Sequence, residues 1–422
     1  MIRLIEEAQS QKAPSEQFVD TFAKYYTPIV MVLALLTFII PGMVTGDWSV
    51  WFYRSLVLLI VACPCALVIS TPVSVVSGLT AMAKRGVLIK GGAYLETVGK
   101  LRALAVDKTG TITRGAPKVI SVTSLGETSE NEIVRIASVI DSHSDHPIAI
   151  AITDYAEAQN IDFPSASDYQ SQTGRGADGS LDGHQYFVGN HRYTHELGVC
   201  SEEIEKTLHE IESKGLSVVV LGHKPHDHCT GEVLGVIAVG DTIRDNAKSA
   251  IQSLHNAGIE QVIMLSGDNQ TTADAIAKQA GIDQAKGDLL PEQKIENIRE
   301  LLKKYHYVGM VGDGVNDAPA MAAASLGIAM GAAGTDTAIE TADMALMTDD
   351  LSKISEAIHL GRRTLAIIKF NITFALSIKA IFLVLAITGH ASLWLAILAD
   401  TGATLLVIAN SLRLLSSPTK VG

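Results

Sequence analysis

Residues 101–115 read LRALAVDKTGTITRG, and this stretch decides the fold. A short apolar run ends on Asp107, which enters a turn rich in threonine and glycine. Two later stretches repeat the layout. QVIMLSGDN, residues 261–269, puts Asp268 behind an apolar run, and YVGMVGDGVND, residues 307–317, puts Asp313 behind another. Apolar runs followed by polar turns and helical patterns, at 270–280 and 319–324, predict parallel strands with crossover helices. Ligands of such sheets sit outside the carboxyl ends of the strands. Three carboxylates therefore meet at one edge. One Asp-Gly or Gly-Asp pair marks only a turn; three, each directly behind a buried strand, predict a site.

Outward from this core the chain turns apolar. Hydrophobic residues make up 47% of the sequence and the mean hydropathy is positive, which is unusual for a soluble enzyme. Runs of about 18 or more apolar residues with almost no charge predict transmembrane helices, and residues 25–44, 55–82, 366–388 and 393–414 qualify. Lys84, Arg85, Arg362, Arg363 and Arg413 flank these spans on one side, while the turns at 41–48 and 389–392 carry no Lys or Arg. The positive-inside rule then predicts a cytoplasmic large domain with both termini on the same side. Residues 1–23 are charged and amphipathic, so no cleavable signal peptide is predicted.

Between Gly115 and Gly231 the chain becomes more polar, with short alternating runs. This predicts a second domain inserted into the first, whose sheet resumes at 233–239, before Asp241. The boundaries expected are 1–24 for a cytoplasmic linker, 25–83 for two spans, 84–114 with 232–365 for the α/β domain, 115–231 for the insertion and 366–415 for two further spans. Four cysteines are too few and scattered for a disulfide scaffold, and a cytoplasmic domain keeps its thiols reduced. The net charge of −12 excludes nucleic acid as an expected partner.

Asp107-Lys108-Thr109-Gly110-Thr111 resembles the phosphorylation motif of P-type ATPases, which share the haloacid-dehalogenase fold. Ser266-Gly267-Asp268-Asn269, Pro291-Glu292-Gln293-Lys294 and the GDGVND stretch ending at Asp317 follow in the family's order. The resemblance covers essentially the whole chain. It implies ATP and Mg²⁺, with Asp107 as the nucleophile that forms an aspartyl phosphate. Asp107, the Thr109 carbonyl and Asp313 make a plausible hard oxygen site for Mg²⁺. Lys294 would neutralise the transferring phosphoryl, and Thr111, Ser266, Gly267 and Asn316 would donate hydrogen bonds to it. Asp317 would hold the Mg²⁺ shell and Asp268 the turn. The family usually has Thr where Ser266 stands; the hydroxyl is kept.

The insertion carries SDHPIA, with His146-Pro147, and then GRGADG, with Gly174, Gly176 and Gly179. Either alone reads as a turn. Together they resemble the adenine-binding face of heavy-metal P-type ATPases, with His146 against adenine and the glycines admitting the nucleotide. The family commonly has Glu five residues before that His; here it is Asp141, one methylene shorter.

The second span contains Ala62-Cys63-Pro64-Cys65. Pro64 cannot donate to the Ile60 carbonyl, and the freed acceptor at membrane depth needs a partner or a lined cavity. Thiolates favour soft or borderline ions, and this motif resembles the transport site of heavy-metal P-type ATPases. Lys379, in FALSIKAIFLV, and Asp400, in LWLAILADTGATLLV, are ionisable residues inside spans, which are functional by default. Their surroundings resemble the zinc-, cadmium- and lead-exporting subgroup, in which the Asp joins Cys63 and Cys65 at the metal and the Lys is the built-in counter-ion.

The resemblance thus implies ATP-driven export of Zn²⁺, Cd²⁺ or Pb²⁺ across the cell membrane, of the bacterial inner-membrane type, with lipid around the spans. The chain opens on what resembles the linker leaving the actuator domain, so a missing N-terminal half is an expected partner. Two rival readings stay open: a membrane-tethered phosphatase of the same fold, and a non-transporting assembly or regulatory fragment. His223, His226, His228 and Cys229 in GHKPHDHC match no structural zinc spacing and read as a solvated hairpin turn. Cys200 reads as an ordinary residue, and Thr230-Gly231-Glu232 as a chance copy of the actuator's tripeptide.

Overall fold

The computed structural model describes residues 12–225, 231–313, 317–331, 342–388, 390 and 392–416. The chain divides into two units. One holds Met1–Leu101, Asp343–Thr348 and Lys353–Gly422; the other holds Arg102–Ala342 and Asp349–Ser352.

Among the described residues, the first unit is built on helices long and apolar enough to cross a membrane, four in number when the broken pair is counted once. Pro14–Thr45 is one helix. The expected linker at 1–24 is thus, from Pro14 on, the first turns of the first span; Pro14 at the helix start presets the backbone dihedral and has no N–H to waste. Val44, Trp394 and Leu398 leave 80%, 82% and 74% of their surfaces exposed, as a lipid-facing surface requires. Ser352–Ile387 is likewise continuous, beginning well before the apolar window at 366 because helical backbone does not stop where polarity changes. Leu393–Leu412 follows, capped by the Ser392 side chain. The span predicted at 55–82 is two helices, Trp48–Ala62 and Cys65–Ala83, separated at Cys63 and Pro64. Small residues let these helices approach: Ser74, Asn371 and Ser411 are all buried, and their side chains hydrogen-bond across three helices.

The second unit holds two sheets. Its parallel sheet runs in the order Leu326–Ala329, Val308–Gly312, Ala103–Asp107, Gln261–Leu265, Gln284–Lys286. Ala103, Leu104, Ala105 and Val106 are fully buried, which is why the run before Asp107 is continuous rather than alternating. Helices Gln270–Ala280, Pro291–Tyr305 and Ala318–Ala323 follow the strands.

The other sheet is antiparallel, in the order Lys118–Ser124, Glu232–Gly240, Ser217–His223, His184–Gly189, Gly176–Leu181, Ser167–Gln172. Here the sequence boundary needs correcting. Residues 233–239 do not resume the parallel sheet; Glu232–Gly240 is an interior strand of the antiparallel one. The parallel sheet resumes only at Gln261–Leu265. Val236 and Ile237 point to opposite faces and both are fully buried, so the run is apolar throughout and its pattern does not say which sheet it joins.

Candidate functional site

Asp107 closes its strand with 8% of its surface exposed. The following turn is held by its own carboxylate, whose Oδ2 accepts from the Thr109 N–H at 3.0 Å. Gly110 takes φ +70° to complete the turn, a conformation that glycine adopts without a Cβ penalty. Lys294, from the first turn of Pro291–Tyr305, reaches across and places Nζ 2.7 Å from Asp107 Oδ1 and 2.8 Å from Asp317 Oδ1. Lys108 pairs with Asp268. The Asp313 Cβ lies 3.5 Å from the Cβ position of Gly110, so the carboxyl ends of three neighbouring strands converge.

The electrostatics follow from that crowding. Burial, then the Asp317 charge, push the Asp107 carboxyl up to about 6, against the pull of Lys294. Burial also raises Asp317, with Asp313 adding to it and Lys294 opposing. Burial works against the Lys294 charge, but the Asp107 and Asp317 carboxylates outweigh it and hold its pKa above the ordinary lysine range. Thr111 is fully buried and its hydroxyl has no hydrogen-bond partner. A buried, unspent hydroxyl beside clustered carboxylates and one lysine fits an incoming phosphoryl group, and the acid cluster fits a hard divalent cation. Ser266 is buried, and its hydroxyl accepts from the Asp268 N–H at 3.1 Å, so Gly267 is the tip of a tight turn. Asn316 lies outside the described residues.

Two residues that the motifs do not name hold the turn. Arg244 donates to the Gly110 carbonyl at 2.8 Å and to the Thr111 carbonyl at 3.0 Å. Asp241 accepts from the Gly115 and Ala116 N–H groups at 3.1 and 3.3 Å, and from the Thr113 hydroxyl. Asp241 carries the same signal as the other strand-end aspartates, an apolar run directly before it. Arg244 carries none.

In the antiparallel region, His146 caps the helix Pro147–Ala158, its Nδ1 accepting from the Ile148 N–H at 3.3 Å. Its ring remains open to solvent, yet partial desolvation lowers its pKa, with Asp268 opposing and Lys108 adding. Those two named charges tie it electrostatically to the Asp107 side of the unit. Asp141 ends the helix Glu130–Asp141 and is buried, which pushes its carboxyl up to about 7. The glycine stretch separates by role. Gly174 (φ +70°) offers its carbonyl to Asn190 Nδ2 at 3.0 Å. Gly176 (φ +147°) has no room for a side chain, since a Cβ would lie 2.6 Å from the Gly189 Cα. Gly179 is an ordinary strand residue packed near Ile140.

In the membrane unit, Lys379 Nζ lies 2.8 Å from Asp400 Oδ1 and 3.1 Å from the Val61 carbonyl. Val61, Ala66, Phe382 and Ala403 line the small cavity around this pair. The acceptor freed by the break is therefore one residue later than expected: Cys63 N–H still reaches the Ile60 carbonyl at 3.3 Å, and the lysine takes the next one. Cys63 and Cys65 also differ from expectation. The break turns both side chains to the same place, their Cα atoms are 5.6 Å apart, and their sulfurs are joined. A joined pair offers no thiolate, and only the reduced form could present thiolates to a metal.

Of the histidine-rich segment, His223 packs against Tyr186 with ring centroids 4.5 Å apart and the planes tilted by 31°; His226, His228, Cys229 and Thr230 lie outside the described residues. Glu232 begins an interior strand, paired with His223.

Residues 101–325 match the haloacid dehalogenase-like hydrolase family. The cadmium-transporting ATPase of Staphylococcus aureus is 48% identical over 98% of this chain and 57% of its own length. The zinc/cadmium/lead-transporting P-type ATPase of Escherichia coli (strain K12) is 44% identical over 98% of this chain and 55% of its own. The chain thus spans about half the length of the curated relatives it matches. The crystal structure of a zinc-transporting PIB-type ATPase in the E2.Pi state matches with TM-score 0.70 at 43% identity, over 98% of this chain and 66% of that one. With its parallel sheet, strand-end aspartates and apolar helices, the chain belongs to the haloacid dehalogenase-like hydrolases, and over 98% of its length it is similar to metal-transporting P-type ATPases.

Proposed function

We propose that this chain is the catalytic and ion-carrying portion of an ATP-driven exporter of Zn²⁺, Cd²⁺ or Pb²⁺. The observation that carries the reading is Lys294 held between Asp107 and Asp317, beside the unpartnered Thr111 hydroxyl. In the step proposed, an Asp107 carboxylate oxygen attacks the γ-phosphorus of ATP, the bond to the β–γ bridging oxygen breaks, and ADP leaves with that electron pair. Lys294 neutralises charge on the transferring group, and Thr111, Ser266, Gly267 and Asn316 donate to its oxygens. Asp107, the Thr109 carbonyl and Asp313 would hold Mg²⁺, with Asp317 behind them; the ion's contribution is neutralisation of phosphate charge. Asp268, paired to Lys108, keeps the adjoining turn in place.

The antiparallel region would receive the adenosine end of ATP, with His146 and Asp141 toward the base and Gly174 and Gly176 admitting the nucleotide. On this reading the insertion runs from Gly115 to Gly240. In the membrane, reduced Cys63 and Cys65 with Asp400 would ligate the transported ion, and Lys379 would replace it on Asp400 after release. Soft sulfur with one carboxylate suits Zn²⁺ and its heavier relatives. Labelling with γ-labelled ATP tests the reading. An acid-stable, hydroxylamine-sensitive phosphoenzyme whose level responds to Zn²⁺ or Cd²⁺ is expected, and its absence in metal-loaded, reduced protein would overturn it.

A further inference from the structure

The short helix His191–Glu196 presents His191 and His195 on one face, four residues apart. Cys200 follows just before the helix Glu202–Glu212, whose first turn carries Glu205. The chain folds these four onto one point. One oxygen, Glu205 Oε2, lies 3.0 Å from His191 Nε2, 2.9 Å from His195 Nε2 and 3.2 Å from Cys200 Sγ. All four candidate ligand atoms lie within 4.8 Å of one another. The edge of a tetrahedral zinc site with nitrogen, oxygen and sulfur ligands is about 3.3–3.8 Å, so small side-chain adjustments close the set around one ion. His191 also has the support typical of a ligating histidine. Its Nδ1 lies 2.9 Å from Glu212 Oε1, and Glu212 is 1% exposed with its other oxygen unpartnered. A carboxylate behind the ring fixes the tautomer that leaves Nε2 for a metal.

We propose that His191, His195, Cys200 and Glu205 form a second soft-divalent-cation site, of the Zn²⁺ and Cd²⁺ class, in the nucleotide-side region and separate from the membrane ligands. Two imidazoles, a thiolate and a carboxylate suit these ions and exclude Mg²⁺. Binding displaces the thiol proton, so affinity rises with pH. The site is wired to its surroundings through the same short helix. Asn190, its cap, holds the Gly174 carbonyl; Arg192 donates to the Asp288 carbonyl at 2.9 Å; and Glu196 pairs with Arg175, between the two glycines. An ion that clamps this helix to Glu202–Glu212 therefore reports on the glycine stretch.

The test uses Co²⁺ as the probe on the full chain bearing Cys63→Ser, Cys65→Ser and Cys229→Ser. That background removes the membrane thiols, so the outcome is independent of the transport reading. A saturable thiolate-to-cobalt charge-transfer band is expected at one ion per chain, displaced by Zn²⁺ and abolished by Cys200→Ser. His195→Ala, at an exposed position, weakens binding by at least about tenfold, and Glu212→Gln weakens it by about 10–100-fold. No band in folded, reduced protein, or unchanged affinity in His195→Ala, overturns the site. Circular dichroism of the Cys200→Ser and His195→Ala chains distinguishes loss of ligation from loss of fold.

Discussion

The Lys379 ammonium donates to Asp400 Oδ1 at 2.8 Å while a second proton goes to the Val61 carbonyl at 3.1 Å. One side chain therefore neutralises a carboxylate and satisfies an acceptor exposed by the broken helix at Cys63 and Pro64. Neither task is optional at membrane depth, where an unsatisfied backbone group costs several kcal/mol. Removing one partner of a buried pair costs about 3–5 kcal/mol, because the other charge stays behind. Asp400→Ala is expected to lose a ligand and strand Lys379 together. Equilibrium dialysis of reduced, detergent-solubilised protein with Zn²⁺ should show strongly weakened binding. Lys379→Ala frees Asp400 for the ion, so it should keep Zn²⁺ binding while losing thermal stability. Unchanged Zn²⁺ affinity in Asp400→Ala would remove that residue from the ligand set.

At the proposed phosphorylation centre, Asp107→Asn should abolish acid-stable labelling from γ-labelled ATP and leave nucleotide binding largely intact. Lys294→Ala should slow labelling by about 10²–10³-fold, the usual cost of one preorganised charge donor. The same substitution removes the cation holding Asp107 and Asp317 together, so it should also lower the midpoint of thermal unfolding. A Lys294→Ala chain that labels at the wild-type rate would refute the assigned role.

The two sites were unequally legible in the sequence. Asp107, Asp268 and Asp313 could be located because each ends or closely follows a buried strand, and the strand's apolar run is a strong local signal. Residues 233–239 misled for the same reason: a fully buried strand looks alike in either sheet. Arg244, which grips the Gly110 and Thr111 carbonyls, left no trace, because an arginine's target is set by tertiary folding and not by its neighbours. Pro64 announced the broken helix, but the choice of Val61 over Ile60 as the acceptor filled by Lys379 depends on a lysine 318 residues away. Cys200 read as ordinary because, although His191 and His195 have the i, i+4 spacing of a common zinc pair, the approach of Cys200 and Glu205 to them is set by folding.

Gly176 offers a steric test. Its φ of +147° and the nearness of the Gly189 backbone forbid a Cβ, although alanine is chemically the mildest change available. Gly176→Ala should cost about 1–3 kcal/mol from the strained backbone alone, with further loss as the Gly176–Leu181 and His184–Gly189 strands separate. Gly179→Ala, three residues further along the same strand, brings its Cβ to 3.2 Å from the Ala166 and Ile140 side chains, which can give by a few tenths of an ångström, and should be milder. Limited proteolysis of the two variants ranks them; equal resistance would show that the close approach at Gly176 is not needed.

Asp141 makes the pH-dependent prediction. Burial raises its carboxyl to about 7, so near pH 6 it is mostly protonated and near pH 8 mostly ionised. A raised carboxyl holds its proton more tightly when folded than when unfolded. The stability it contributes is thus present below the unfolded pKa and is lost as pH rises through about 7. Asp141→Asn, which cannot ionise, should be more stable than the wild type at pH 8 by on the order of a few kcal/mol, and close to it at low pH. Nucleotide binding should move the opposite way. If the ionised carboxylate accepts from the adenine amino group, affinity for ATP rises between pH 6 and 8 in the wild type, whereas Asp141→Asn shows only the dependence of the nucleotide itself. Isothermal titration at the two pH values, on both proteins, separates the effects. Parallel curves for wild type and Asp141→Asn would leave Asp141 as a buried helix end with no part in holding the base.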